Sequence, residues 1–118
     1  MKTFGKYPTS DNTFGVYRFR RPSPEEPVGD VVLLPEPVYE MLLRCVRAHE
    51  DEFPGVGRLR DQYRDHHYYP QEAAAVGKEL ERLAELPEVS EVDQELRAMA
   101  SFCCVAGQEG FGVTFAGN

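Results

Sequence analysis

Apolar residues recur at spacings of three and four through the middle of the chain and alternate with polar ones near its end. Behind Pro35 and Pro37, Val38, Met41, Leu42, Cys45, Val46, His49 and Phe53 line one continuous face. This is the helical period, and proline is tolerated in a helix's first turn. The pattern predicts a helix over about residues 36–52, closed by Pro54 and Gly55. A second helix opens at Pro70, buries Ala73, Val76, Leu80, Leu83 and Ala84, and runs to about Leu86 before Pro87 breaks it. Ser90 with Asp93 resembles a capping box carrying a shorter acid than usual. Behind it Val92, Leu96, Met99, Ala100 and Cys103 make a third stripe. Phe102 and Val105 lie off that stripe, so this helix is expected to be buried on two sides, with Gly107 as its left-handed C-cap.

The flanks read differently. Thr13–Phe19 is aromatic-rich and suits a strand, after which Pro22, Pro24 and Pro27 exclude regular structure. Val31–Leu34 fits either a buried strand or the lead-in to a helix, and periodicity does not separate the two. Val56, Leu59 and Tyr63 share one helical face, which suits a short helix between the first two long ones. Phe111, Val113 and Phe115 alternate with small or polar residues, the period-2 signature of a strand. The expected fold is α+β: three main helices packed with a small antiparallel sheet formed by the N- and C-terminal strands. The 118 residues suit a single domain, with 1–34 extended, 35–107 helical and 110–116 a final strand.

Charge adds a direction to this picture. The net charge is −7, and residues 71–118 alone carry three basic and nine acidic side chains. A field of that sign repels phosphate backbones, which argues against nucleic-acid binding and would steer a basic protein inward. No apolar stretch approaches the length of a membrane span. Three cysteines, two of them adjacent (Cys45, Cys103 and Cys104), do not form a disulfide framework. They suit a reducing cytoplasm.

Candidate chemistry is sparse. Cys45 and His49 stand four residues apart on one helix face, a spacing zinc sites use, but both lie on the apolar stripe and a core thiol and core histidine account for them equally. No metal, cofactor or catalytic set is expected. The Asp65-His66-His67-Tyr68-Tyr69 stretch, close to Arg58, Arg60 and Arg64, carries the alternative: two imidazoles for acid–base hydrolysis of a phosphodiester. Against it, adjacent side chains diverge on any regular element, and a polar helix end and loop explains the stretch. Tyr68 and Tyr69 serve as well as contact residues, since tyrosine is enriched at interface hot spots. Cys103 falls on a buried stripe, where thiols are inert.

The acidic run spans the end of the second helix and the start of the third. Glu91 and Asp93 favour the positive end of the third helix, which explains part of it. The remainder exceeds what capping requires. Glu85, Glu88, Glu91, Asp93 and Glu95, with Tyr68 and Tyr69, are therefore the candidate partner-binding residues. A solvated face and a docking ridge both fit this charge pattern.

Two stretches carry a family resemblance. One is Tyr69-Pro70-Gln71-Glu72 leading into Glu79-Leu80-Glu81-Arg82-Leu83. The other runs from Leu96 through Phe102-Cys103 to Gly110-Phe111-Gly112-Val113-Thr114-Phe115. Together, over about the last fifty residues, they resemble the small acidic immunity proteins of bacterial polymorphic-toxin systems. The resemblance implies a cytoplasmic protein without catalysis or cofactor that binds and blocks a cognate toxin, often by covering a basic nuclease site with acidic side chains. It transfers no contact residue and leaves oligomeric state open. A structural or regulatory adaptor, pairing through an open strand edge, is the other non-enzymatic reading.

Overall fold

The computed structural model describes residues 2–5, 12–49 and 51–117. Five strands, β1 (Lys2–Thr3), β2 (Asn12–Phe19), β3 (Val28–Pro35), β4 (His66–Tyr68) and β5 (Gly112–Ala116), form one sheet in the order β1-β3-β2-β5-β4. Helices α1 (Glu36–Ala48), α2 (Pro54–Gly57), α3 (Pro70–Ala84) and α4 (Asp93–Gln108) connect them, with 3-10 turns at Arg58–Arg60 and Pro87–Val92. The α+β class matches the sequence pattern, and β2 pairs antiparallel with β5 from Gly15↔Ala116 to Phe19↔Gly112.

The sheet is larger than the sequence suggests, and it is mixed. Only β1 against β3 is parallel; the other pairings are antiparallel. The ambiguous run Val31–Leu34 belongs to β3, not to a helix lead-in. The helical region, residues 35–107, is interrupted by β4, and a fourth helix, the single turn α2, stands beside the three long ones. No helix spans Val56 to Tyr63; Leu59 turns inward from a 3-10 turn and Tyr63 is exposed.

The helices cover one sheet face. Phe14, Val16, Leu34, Val113 and Phe115 meet Leu42, Leu80, Leu83, Leu96 and Met99 in one cluster. Each such buried side chain contributes about 1.5–3 kcal/mol relative to exposure. Residues of opposite parity, Tyr17 and Thr114 among them, face the other side, where the 20–27 segment lies over them. Tyr17 and Thr114 hydroxyls both donate to the Pro24 carbonyl, at 3.0 and 2.8 Å.

Helix ends depart from the sequence expectation in ways the packing explains. α1 stops at Ala48 because His49 leaves the helical conformation (φ −131°, ψ 49°). Ser90 caps nothing: it sits in the 3-10 turn, and Val92 precedes α4 without a side-chain cap. Gly107 remains inside α4, where its missing Cβ admits the Pro70 carbonyl and Ala74. The left-handed residue is Gly110 (φ 83°). There the Phe111 N–H donates to the Ala106 carbonyl and the Gly110 N–H to that of Gly107, the paired bonds of a Schellman ending. Gly77 makes the other close approach of α3 to α4: a Cβ there would overlap Cys104 Sγ and press on its backbone nitrogen. Among the described residues, no helix is long and apolar enough to cross a membrane.

Candidate protein-docking surface

The acidic residues divide by where α3, the 3-10 turn and α4 aim them. Glu85 caps the C-terminus of α3, Glu88 and Glu91 lie in the 3-10 turn, and all three are exposed. Glu85 and Glu91 make no ion pair among the described residues, whereas Glu88 accepts from His49 Nε2 at 3.1 Å. That hydrogen bond holds the Glu88 carboxyl below the usual carboxylate range. His49 Nδ1 also lies 3.5 Å from Glu52, so the ring is flanked by two carboxylates. Asp93 is half-buried in the first turn of α4.

Two candidate residues are withdrawn from the surface. Glu95 is 6% exposed and packs on Gly5, where any Cβ would overlap its side chain. Tyr68 is 1% exposed: its hydroxyl donates to the Gly55 carbonyl at 2.7 Å and Arg58 stacks 4.3 Å over its ring. Burial pushes the Tyr68 hydroxyl's pKa up. Tyr69, its neighbour, is 36% exposed, resting edge-on against Phe19 with Arg21 over its own ring. Glu79, also part of the acidic run, is 7% exposed, and its carboxylate accepts from the backbone N–H groups of Gly55 and Val56 at 3.2 and 3.0 Å. It closes the α2 turn onto α3.

The sequence signalled both inward carboxylates. Glu79 stands three residues after Val76 and four before Leu83; Glu95 stands three after Val92 and four before Met99. Each therefore sits on the buried stripe of its helix. What is left outside is a depression of about 480 Å³ at the entry to α4, lined by Gly5, Ser90, Glu91, Asp93, Gln94 and Glu95. Among the described residues its lining holds three carboxylates and no cation.

The histidine stretch forms β4, and strand alternation sends its two rings to opposite faces. His66 is buried on the helix side, edge-on to Phe14, with Nε2 2.7 Å from the Asp61 carbonyl. A carbonyl only accepts, so Nε2 carries the proton. His67 lies on the other side against Phe19, with Nδ1 2.9 Å from Thr114 Oγ1. That hydroxyl already donates to Pro24, so Nδ1 is the donor here. The structure does not bring the two imidazoles to one substrate position.

The remaining candidates are packing groups. Cys45 and Cys103 are buried, and loss of solvent raises both thiols' pKa values. Cys104, half-buried with Glu81 3.8 Å away, is raised by desolvation and then by that carboxylate. Among the described residues, no three His, Cys, Asp or Glu side chains converge as metal ligands.

Fold and surface together define an α+β protein with helices on one sheet face and an acidic depression beside α4. The chain matches no protein-family model, no curated protein and no solved structure.

Proposed function

We propose that this protein is a binding inhibitor of the immunity type, one that docks a basic partner protein on its acidic end and occludes that partner's working surface. The observation that carries the reading is the group of carboxylates there that meet no cation among the described residues: exposed Glu85 and Glu91, and a depression lined by three carboxylates. A lysine or arginine entering the depression would meet Glu91 and Asp93 directly, and the surrounding field would speed encounter. Tyr69 stays with the candidate contacts; Tyr68 and Glu95 act by shaping the surface from within. The inhibitor requires no cofactor, and it works in a reducing cytoplasm where its three thiols stay unpaired. Divergence of His66 and His67 supports this reading over a histidine-dependent hydrolase.

The test uses the intact chain as bait in its native host's lysate, then follows association of the captured protein by stopped flow. A one-to-one complex with a basic protein is expected, its activity lost on binding and its on-rate falling with added salt. Combining Glu85→Gln, Glu91→Gln and Asp93→Asn should slow association about tenfold at low salt. An on-rate indifferent to both salt and the substitutions overturns the reading.

A further inference from the structure

A second concave surface lies away from the acidic end and shares no lining residue with its depression. A groove of about 460 Å³ separates the outer margin of β3 from α4. Val28 and Val32 form one wall, and Ala98, Phe102 and Val105 the other. Val105 is 44% exposed, one of three large hydrophobic residues in that state among the described residues. Alternation along β3 turns Val28, Asp30 and Val32 toward the groove and Val31 and Leu33 away from it.

Among the described residues, the backbone margin of the same strand is covered only in part. β2 pairs with β3 from Val28 to Pro35, whereas β1 meets it only at Val32 and Leu33. Upstream of Val32, no strand among the described residues lies against the outer edge of β3. An extended chain laid there would continue the line of β1, hydrogen-bond the edge and drop alternate side chains into the groove. Strand addition of this kind takes affinity from the main chain and specificity from the pockets.

Charge selects the occupant. In a chain of net charge −7, the described residues lining the groove carry Lys2 and Arg18 against Asp30, with Glu109 beside Arg18. Lys2 is taken up by Asp30 at 2.8 Å. The Arg18 guanidinium is oriented by stacking 4.6 Å over the Phe111 ring and by donating from Nε to the Val28 carbonyl at 3.1 Å. Its Nη1 sits 3.8 Å from Glu109, too long for a good hydrogen bond. A held guanidinium with donors to spare suits a carboxylate.

We propose that the β3–α4 groove is a second docking site, taking an extended segment of a partner protein that carries an apolar side chain beside a carboxylate. The segment adds to the outer edge of β3, its apolar side chain lies between Val28 and Val105, and its carboxylate meets Arg18. This does not rest on the acidic end being a docking surface.

The experiment is selection of a library of seven-residue peptides with free carboxyl termini on the intact chain. Ala98→Trp, which fills the groove from an exposed helical position, serves for counter-selection. Enriched peptides should alternate apolar residues and end on, or contain, a carboxylate. In amide-resolved NMR they should shift Gly29, Asp30 and Val31, and Arg18→Gln should weaken them about tenfold. Val105→Glu, also at an exposed position, should abolish binding with the circular dichroism spectrum unchanged. Failure to enrich any peptide over Ala98→Trp overturns the proposal. So do peptides that shift Ser90–Glu95 instead, or sedimentation showing the groove filled by a second copy of this chain.

Discussion

The seam between α3 and α4 and the acidic end just beyond it are built from the same two helices, yet opposite rules govern them. Along the seam, Gly77 and Gly107 let backbones approach so closely that no Cβ fits beside Cys104 or Pro70. At the acidic end, Glu85 and Glu91 touch no cation among the described residues and could be exchanged without disturbing a neighbour. Tight contact makes a position costly to change; exposure leaves it free to serve a partner. Glu79 shows that residue type does not decide the matter. It belongs chemically to the acidic run and physically to the packed interior, where it holds two backbone donors of α2.

The largest effect should therefore come from the carboxylate that looks most like its exposed neighbours. Glu79→Ala leaves the Gly55 and Val56 N–H groups without their acceptor, and hydrogen bonds to charged groups contribute about 1.5–3 kcal/mol each. Because the Gly55 group is partly accessible to water, a total loss of about 3 kcal/mol in urea unfolding is expected. Glu79→Gln should recover part of it. A loss below about 0.5 kcal/mol, the range of ordinary surface changes, would place Glu79 with the exposed acids and erase the contrast.

Next comes Gly77→Ala. Overpacking costs about 1–3 kcal/mol, and the clash with the Cys104 backbone nitrogen puts this site in the upper half of that range; alanine's helix preference returns roughly 1 kcal/mol, so a net loss of about 1–2 kcal/mol is expected. The new methyl group presses on Cys104 Sγ, so labelling of Cys104 by a thiol reagent should quicken. Unchanged stability and labelling would mean that the seam yields more easily than its geometry implies.

A smaller effect is carried by pH. Glu88 has its folded-state pKa depressed by the hydrogen bond from His49. The stability it contributes is present above the ordinary glutamate value of about 4.3 and fades as pH falls through the lower folded value. Glu88→Gln should flatten that acid limb of the stability profile, and an identical limb in wild type and variant would remove the His49–Glu88 contact from the account. Smallest of all, Glu85→Gln with Glu91→Gln should shift unfolding by no more than about 0.5 kcal/mol. A larger destabilisation would show these two acids engaged in the fold, whereas the slowed association expected of them belongs to binding alone.

The long elements were legible because each carries several turns of pattern. α3 and β5 emerge where their spacings place them, and α1 and α4 differ only at their ends. β4 was not legible: three residues, two of them histidine, offer no alternation to count, and a two-residue β1 offers less. β3 was ambiguous because its apolar run continues at Val31 and Leu33 onto the face away from the helices, which removes the polar alternation that marks a half-exposed strand. The candidate surface was half legible. Its acidity could be counted, and the stripe positions of Glu79 and Glu95 could be read from their spacing. The groove beside β3 could not, since it needs two elements some seventy residues apart to stand side by side.

By itself the sequence determined where the three long helices and strands β2 and β5 run, because their periods are local, and how much negative charge the C-terminal half carries. Only the tertiary structure decided which carboxylates face water and which of two adjacent tyrosines is buried. Tyr68 and Tyr69 are chemically alike, but the strand sends the first inward to a carbonyl thirteen residues away and leaves the second on Phe19 at the surface. Glu79 finds its donors more than twenty residues upstream. A partner that distant is supplied by the fold and leaves no mark in the pattern around the residue it holds.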